Sequence, residues 1–272
     1  MNNLVQRILN GIVFIAAILV PIWYGPLANT LLFFVVALLS LHEFYGIITS
    51  EQRQPDYLFG FLSAVLLYTG INAPLLFPEA SWSAELHALV LPGTALIFFA
   101  ELYRKKDQPF TNIAYTLLGV VYAVLPFALL NVMSFAAGSY DRGILLGFFF
   151  ILWSSDTFAY VFGMLFGQHR LFERISPKKS WEGSIGGGLT TLAFTWLISV
   201  YQTQYSFGEW VVTALIIIVA GTFGDLTESM LKRSLQVKDS GSILPGHGGL
   251  LDRFDGLFLS VPFLWAWYHL IR

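Results

Sequence analysis

The sequence predicts an all-α integral membrane protein of about nine transmembrane helices, with a polar, cytoplasm-facing cavity in its C-terminal half. Three observations carry this. Of 272 residues, 56% are hydrophobic and only 12% charged, against roughly 25% charged in soluble domains. The apolar residues fall into runs close to the roughly 20 residues that a membrane-spanning helix needs. Threading those runs in alternating directions then gathers the basic residues on one side.

Nine segments qualify: 8–24, 27–48, 57–73, 84–102, 110–137, 143–166, 183–203, 209–231 and 255–271. The first, with Arg7 before an apolar run, imitates a secretory signal. It lacks a small-residue cleavage site and is read as a retained helix. The second ends near His42 and Glu43, and the fourth contains His87 and Glu101. All four are read as side chains reaching the interface, and Asn72–Pro78 with Trp82 as an interfacial external loop. The fifth is over-long and contains Pro126, which is expected to kink or break it. The seventh opens with Gly183, Gly186, Gly187 and Gly188, read as a close helix-packing surface.

With the N-terminus on one side, all of the 15 Lys and Arg except Arg142 and Arg272 share that side. The positive-inside rule makes it cytoplasmic and puts the C-terminus outside, in what is expected to be a bacterial inner membrane. Net charge is −2 and uninformative, because the charge is segregated. The absence of cysteine excludes disulfides and Cys-ligated metal. The many aromatic side chains read as lipid contact, and no nucleic-acid partner is expected. With no internal repeat or long linker, 1–272 reads as one polytopic domain. Residues 1–140 would form scaffold and interface, and 141–272 the catalytic half.

That second half carries polar residues that apolar helices do not tolerate without reason. Asp156 lies deep in the sixth segment, where a carboxylate costs about 2.5–3.5 kcal/mol on insertion scales. It must face the bundle interior or water, either as a functional acid or in an interhelical hydrogen bond. Asp225, Glu228 and Ser229 share one face of the eighth segment by i, i+3 and i, i+4 spacing. Acids so placed repel unless a proton or cation lies between them, and a divalent cation is the economical explanation. Between the sixth and seventh segments, Ser176-Pro177-Lys178-Lys179-Ser180 suggests a proline turn, two lysines and a helix cap. Together these form an anion site, or else ordinary basic flanking.

Residues Ser229 to Asp255 concentrate Lys232, Arg233, Lys238, Asp239, His247, Asp252, Arg253 and Asp255 around Gly241, Gly246, Gly248 and Gly249. Carboxylates suit Mg²⁺ and basic side chains suit phosphate. His247 reads as a ligand, a phosphate donor or a loop hydrogen bond. Residues alone thus lead to a polar cavity binding a polyanion through a divalent metal, open to a second, acyl-bearing substrate. A lipid kinase such as a polyprenol kinase, or an ion-coupled transporter using Asp156, Asp225 and Glu228, remain alternatives.

The spacing of Ser229, Lys232-Arg233, Lys238-Asp239, His247-Gly248-Gly249 and Asp252-Arg253-Phe254-Asp255 resembles the signature of the phosphatidate cytidylyltransferase (CDP-diacylglycerol synthase) family. Ser176 to Gly183 is similar to a second segment of that family. The resemblance implies transfer of the cytidylyl group of CTP to phosphatidic acid in phospholipid biosynthesis, with Mg²⁺ and room for a second cation. It implies catalytic roles for Asp252, Asp225, Lys238 and Arg253. Lys178, Lys179, Ser176, Lys232, Arg233, His247, Gly248 and Gly249 would bind substrate. Asp225, Asp252, Asp255 and Asp156 would be the metal ligands. The resemblance also admits a homodimer in the bilayer.

Overall fold

The protein is described by a computed structural model covering residues 3–241 and 248–271, and it is an all-α integral membrane protein. Seven helical stretches are long and apolar enough to cross a membrane among the described residues. They are Pro26–Ile48, Tyr57–Leu76, Ser81–Arg104, Pro109–Met133, Arg142–Phe166, Trp181–Tyr201 and Phe207–Ser234. The first and last expected segments correspond to helices α1 (Asn3–Tyr24) and α11 (Leu251–Ile271). Asn10–Tyr24 of α1 forms an apolar stretch, and α11 opens with Asp252, Arg253 and Asp255. Large side chains such as Leu91, Met164 and Leu189 stand exposed on the spans. Lipid would solvate them, while the helical backbone satisfies its own polar groups away from the helix ends.

Contacts divide the described residues into two compact units. The first comprises Met1–Tyr140 with Val237–Arg253, the second Asp141–Gln236 with Phe254–Arg272. The described residues among 237–253, which lie in the half expected to hold the chemistry, therefore pack with the N-terminal helices.

In the first unit, α2 (Pro26–Ile48) and α3 (Tyr57–Leu76) pack with α4 (Ser81–Glu85), α5 (Val90–Arg104), α6 (Pro109–Gly119) and α7 (Leu125–Met133). Its core holds Phe33, Phe44, Tyr45, Tyr68 and Phe127. Pro126 does not break the fifth segment. A π-helical turn, Val120–Val124, separates α6 from α7, and Leu125 N–H bonds the Val120 carbonyl. The wider turn relieves the clash of the proline ring with the preceding turn, and Pro126 falls at the start of α7, where its missing donor matters least.

Glu101 and Asn72, expected at the interface, are internal instead, as is Glu43. Glu101 is 4% exposed. It accepts from Arg104 Nη1 at 2.6 Å and from Asn112 Nδ2 at 2.7 Å. Asn72 belongs to α3 rather than to an external loop, and its Nδ2 donates to the Tyr68 carbonyl at 2.9 Å. A neighbouring chain of bonds links Asn29, Asn131 and Tyr68. Within a bilayer, internal partners substitute for water.

In the second unit, α8 (Arg142–Phe166), α9 (Trp181–Tyr201), α10 (Phe207–Ser234) and most of α11 form the bundle. The glycines opening α9 do serve close packing. A Cβ on Gly187 would lie 2.8 Å from Ala159 Cα of α8. The same holds between α10 and α11, where a Cβ on Gly224 would lie 3.1 Å from Gly256 Cα. Helix α10 starts with a capping box, Ser206 and Glu209 bonding each other's backbone N–H.

Candidate active site

The hairpin before α9 pairs β1 (Arg170–Phe172) with β2 (Ser176–Ser180), Arg170 opposite Ser180 and Phe172 opposite Ser176. Pro177 sits within β2 rather than at the turn. A two-stranded ribbon always has a free edge, where a proline without N–H is tolerated. Ser180 caps α9 as its sequence position predicts, accepting from Gly183 N–H at 3.1 Å. Glu182 accepts from the Gln168 and His169 backbone amides at 3.1–3.2 Å and contacts His169 Nδ1 at 2.6 Å. The end of α8 is thereby tied to the start of α9.

This anchoring aims Arg170, Lys178, Lys179 and Ser180 into a cavity of about 500 Å³. Ser155, Asp156, Ala159, Tyr160 and Met164 of α8 line it, with Thr222 and Asp225 of α10. Lys179 forms an ion pair with Asp225. The other Asp225 oxygen accepts from Ser229 Oγ at 3.2 Å. Asp156 is exposed into this cavity and interacts electrostatically with Lys179 and Asp225. Its place in an apolar helix is thus explained by access to polar space, as expected.

Asp255 joins the same acidic group, within electrostatic reach of Asp225, Asp156 and Glu228. The close packing of α10 on α11 at Gly224 brings it there. Glu228 is 1% exposed and pairs with Lys232 at 2.5 Å. Arg233 donates to the Ile175 carbonyl of the hairpin turn at 3.5 Å. Lysine and arginine in the last turn of α10 also complement the helix dipole.

In the first unit, Asp252 organises the other part of the motif. Its Oδ2 accepts from Ser240 N–H at 3.0 Å, Ser240 Oγ at 2.9 Å and Gly249 N–H at 2.9 Å. Gly248 has φ +81°, and a Cβ there would lie 2.8 Å from that same oxygen. Lys238 and Arg253 are exposed. His247 lies outside the described residues. Ser176, although in the hairpin, is not among the residues lining the cavity, whereas Ser180 is.

Sequence reasoning passed over three participants. Arg170 and Ser180 were visible as a basic residue and a cap, with no sign that either faces the cavity. Glu43 was read as a helix-end side chain, yet it is 5% exposed and accepts from Leu251 N–H at 3.0 Å through Oε2. The one available signal was an acidic residue inside an otherwise apolar span.

The acids suit a hard cation chemically. Asp156, Asp225 and Asp255 offer only oxygen, and in their neighbourhood Lys179 and Lys232 pair with Asp225 and Glu228. Among the described residues no three His, Asp or Glu side chains close around one point as ligands. Mg²⁺ sites commonly take one or two carboxylates, with water and substrate phosphate completing the octahedron, so this donor set fits that ion.

A model of the cytidylyltransferase family matches residues 5–271. The chain belongs to the cytidylyltransferase family. The match covers the N-terminal helices as well as the polar half, although only the latter carries a legible motif. The chain is 32% identical to a phosphatidate cytidylyltransferase of Haemophilus influenzae, over 98% of this chain and 99% of that relative. It is 30% identical to one of Staphylococcus haemolyticus, over 95% and 96% of the two chains, and 31% identical to one of Staphylococcus saprophyticus, over the same shares.

Proposed function

We propose that the protein transfers the cytidylyl group of CTP to phosphatidic acid, giving CDP-diacylglycerol and pyrophosphate. Family membership and relatives named for this reaction support it. The observation that carries it is the cavity itself. Arg170, Lys178 and Lys179 supply positive charge for phosphate, Asp156 and Asp225 supply carboxylates, and Ala159, Tyr160 and Met164 supply an apolar wall. An anionic headgroup on acyl chains needs that combination.

A phosphate oxygen of the lipid attacks the α-phosphorus of CTP. The bond to the bridging oxygen of the β-phosphate breaks, and pyrophosphate leaves with its electron pair. The phosphomonoester is already ionised near neutral pH, so no strong general base is required. Lys178, Lys179 and Arg170 hold phosphate oxygens in place and offset their mutual repulsion, so that catalysis is chiefly positioning and electrostatics. Asp225, with Asp156 and Asp255, would hold Mg²⁺, which supplies charge neutralisation on the phosphates when bound. Lys238 and Arg253, next to the Asp252 cluster in sequence, are further phosphate-binding candidates, as is His247.

The test uses purified protein in detergent with phosphatidic acid and Mg²⁺, comparing α-labelled with γ-labelled CTP. Label in the lipid from the α position alone, lost in Asp225→Asn, is the expected result. Lipid label from the γ position would assign a kinase instead. No transfer by folded wild type would remove the reading and leave ion-coupled transport to be tested in proteoliposomes.

A further inference from the structure

Helix α11 starts at Leu251. The residue before it is Leu250, whose side chain accepts no hydrogen bond, yet the first turn of any helix presents unpaired N–H groups. Glu43, 208 positions earlier in α2, supplies the acceptor by taking Leu251 N–H at 3.0 Å. Leu250 N–H and the Ser240 hydroxyl also face its carboxylate. A carboxylate is the most favourable acceptor there, because it is charged and lies at the positive end of the helix dipole.

The surrounding chain is shaped to admit this carboxylate. A Cβ on Gly241 would lie 2.8 Å from Glu43 Cδ, and one on Gly249 would lie 2.6 Å from Oε2. Two glycines that flank residues 242–247 therefore border one buried acid. Ser240 and Gly249 are also the residues that donate to Asp252 Oδ2. Glu43 and Asp252 are thus held by the same short stretch of backbone, one at Leu251 N–H and the other at Gly249 N–H.

We propose that Glu43 is a positioning residue for the transfer reaction, fixing the start of α11 so that the Asp252 carboxylate is held in one orientation. Glu43 acts through backbone hydrogen bonds, and touches neither substrate nor metal. The N-terminal unit thereby contributes to catalysis, beyond serving as scaffold. The inference rests on the cytidylyltransferase reading above.

The test compares Glu43→Ala and Glu43→Gln with wild type in the α-labelled CTP assay, resolving kcat from KM. Glutamine keeps an acceptor for Leu251 N–H but not the charge. Glu43→Ala is expected to lower kcat by about 10–100-fold, as loss of a supporting hydrogen bond around a site does. KM for CTP and the Mg²⁺ concentration for half-maximal rate should stay near wild type, and Glu43→Gln should recover most of the rate. Gly249→Ala, whose methyl group would press on both the Ser240 hydroxyl and the Glu43 carboxylate, should be at least as damaging as Glu43→Ala. The double variant should be no worse than Gly249→Ala alone, since that methyl group already displaces the Glu43 carboxylate. If Glu43→Ala cannot be purified folded, Gly249→Ala against Glu43→Gln carries the same comparison. Wild-type rates in Glu43→Ala or Gly249→Ala would overturn the proposal. Equal losses in Glu43→Gln and Glu43→Ala would also overturn it, because the charge itself would then be required. Inactive wild type would instead count against the underlying reaction.

Discussion

Lys179, at the end of the hairpin, and Asp225, on α10, form an ion pair across the cavity, each side chain about one-quarter to one-third exposed. The lysine proposed to bind phosphate and the carboxylate proposed to hold metal thus neutralise each other. A polyanion arriving with a cation would offer each a stronger partner. On that reading the pair would open on binding, at a cost limited by its partial solvation.

The first prediction concerns this pair. Lys179→Ala should lower kcat/KM by about 10²–10³-fold, the loss typical of one electrostatic donor at a reacting centre. Lys179→Arg should recover part of it, since charge is kept but the geometry of the donors changes. Asp225→Asn should be as damaging. The double variant should be no better than either, because each residue has its own task once the pair has opened. Initial rates of label transfer into lipid check all four proteins. A double variant more active than Asp225→Asn would mean that the pair acts only as a structural tie.

The helices were largely legible in the sequence, and the reasons are physical. Seven expected spans have counterparts whose ends lie within a few residues of their predicted positions, because a bilayer demands long apolar runs and polar breaks between them. Asp156, Lys178, Lys179 and Asp225 could be singled out because charge in or beside apolar helices is costly, and the structure brings all four to one cavity. Glu43 escaped because its role depends on a backbone N–H far along the chain, and backbone donors leave no mark in a sequence. Pro126 left kink and break undecided for a related reason. A proline announces a missing hydrogen bond, and whether a π turn or a break absorbs it depends on the neighbouring helices.

The second prediction concerns metal. Chelation by EDTA should abolish transfer and added Mg²⁺ restore it. Asp156→Asn and Asp255→Asn should each raise the Mg²⁺ concentration for half-maximal rate by at least about tenfold. A readout independent of turnover is available in Mn²⁺ binding followed by electron paramagnetic resonance. The Asp225→Asn protein should hold less ion than wild type. Unchanged Mn²⁺ binding in all three variants would place the cation elsewhere.

The third prediction concerns the glycine contact that brings Asp255 near Asp225. Gly224→Val would push side-chain atoms into the Asp255 carbonyl and Gly256 Cα. The helices must then separate, with a stability loss of about 1–3 kcal/mol and a weakened acidic cluster. Gly46→Ala in α2, where a Cβ meets nothing within 4 Å, should be neutral or slightly stabilising, alanine being favoured over glycine in a helix by about 1 kcal/mol. Thermal unfolding in detergent separates the two. Equal midpoints would show that the α10–α11 contact yields without cost.

The last prediction concerns orientation. By the positive-inside rule the basic hairpin, and hence the cavity mouth, would face the cytoplasm, where nucleoside triphosphates are available. The chain contains no cysteine, so single substitutions can report sidedness without background. Gln52, between α2 and α3, and Ser139, between α7 and α8, are both exposed and separated by three expected spans. In intact spheroplasts, a membrane-impermeant maleimide should label Ser139→Cys and spare Gln52→Cys, and permeabilisation should expose the latter. The opposite pattern would reverse the protein in the membrane and place Lys178 and Lys179 of the cavity away from the nucleotide pool, which is incompatible with CTP as substrate. Labelling of both in intact cells would mean that an odd number of crossings does not separate them. The helical stretch Ser81–Arg104, built from α4, a 3₁₀ turn and α5, would then be the span to doubt, because it is the one of the three between those sites that is assembled from short pieces with the smallest buried share.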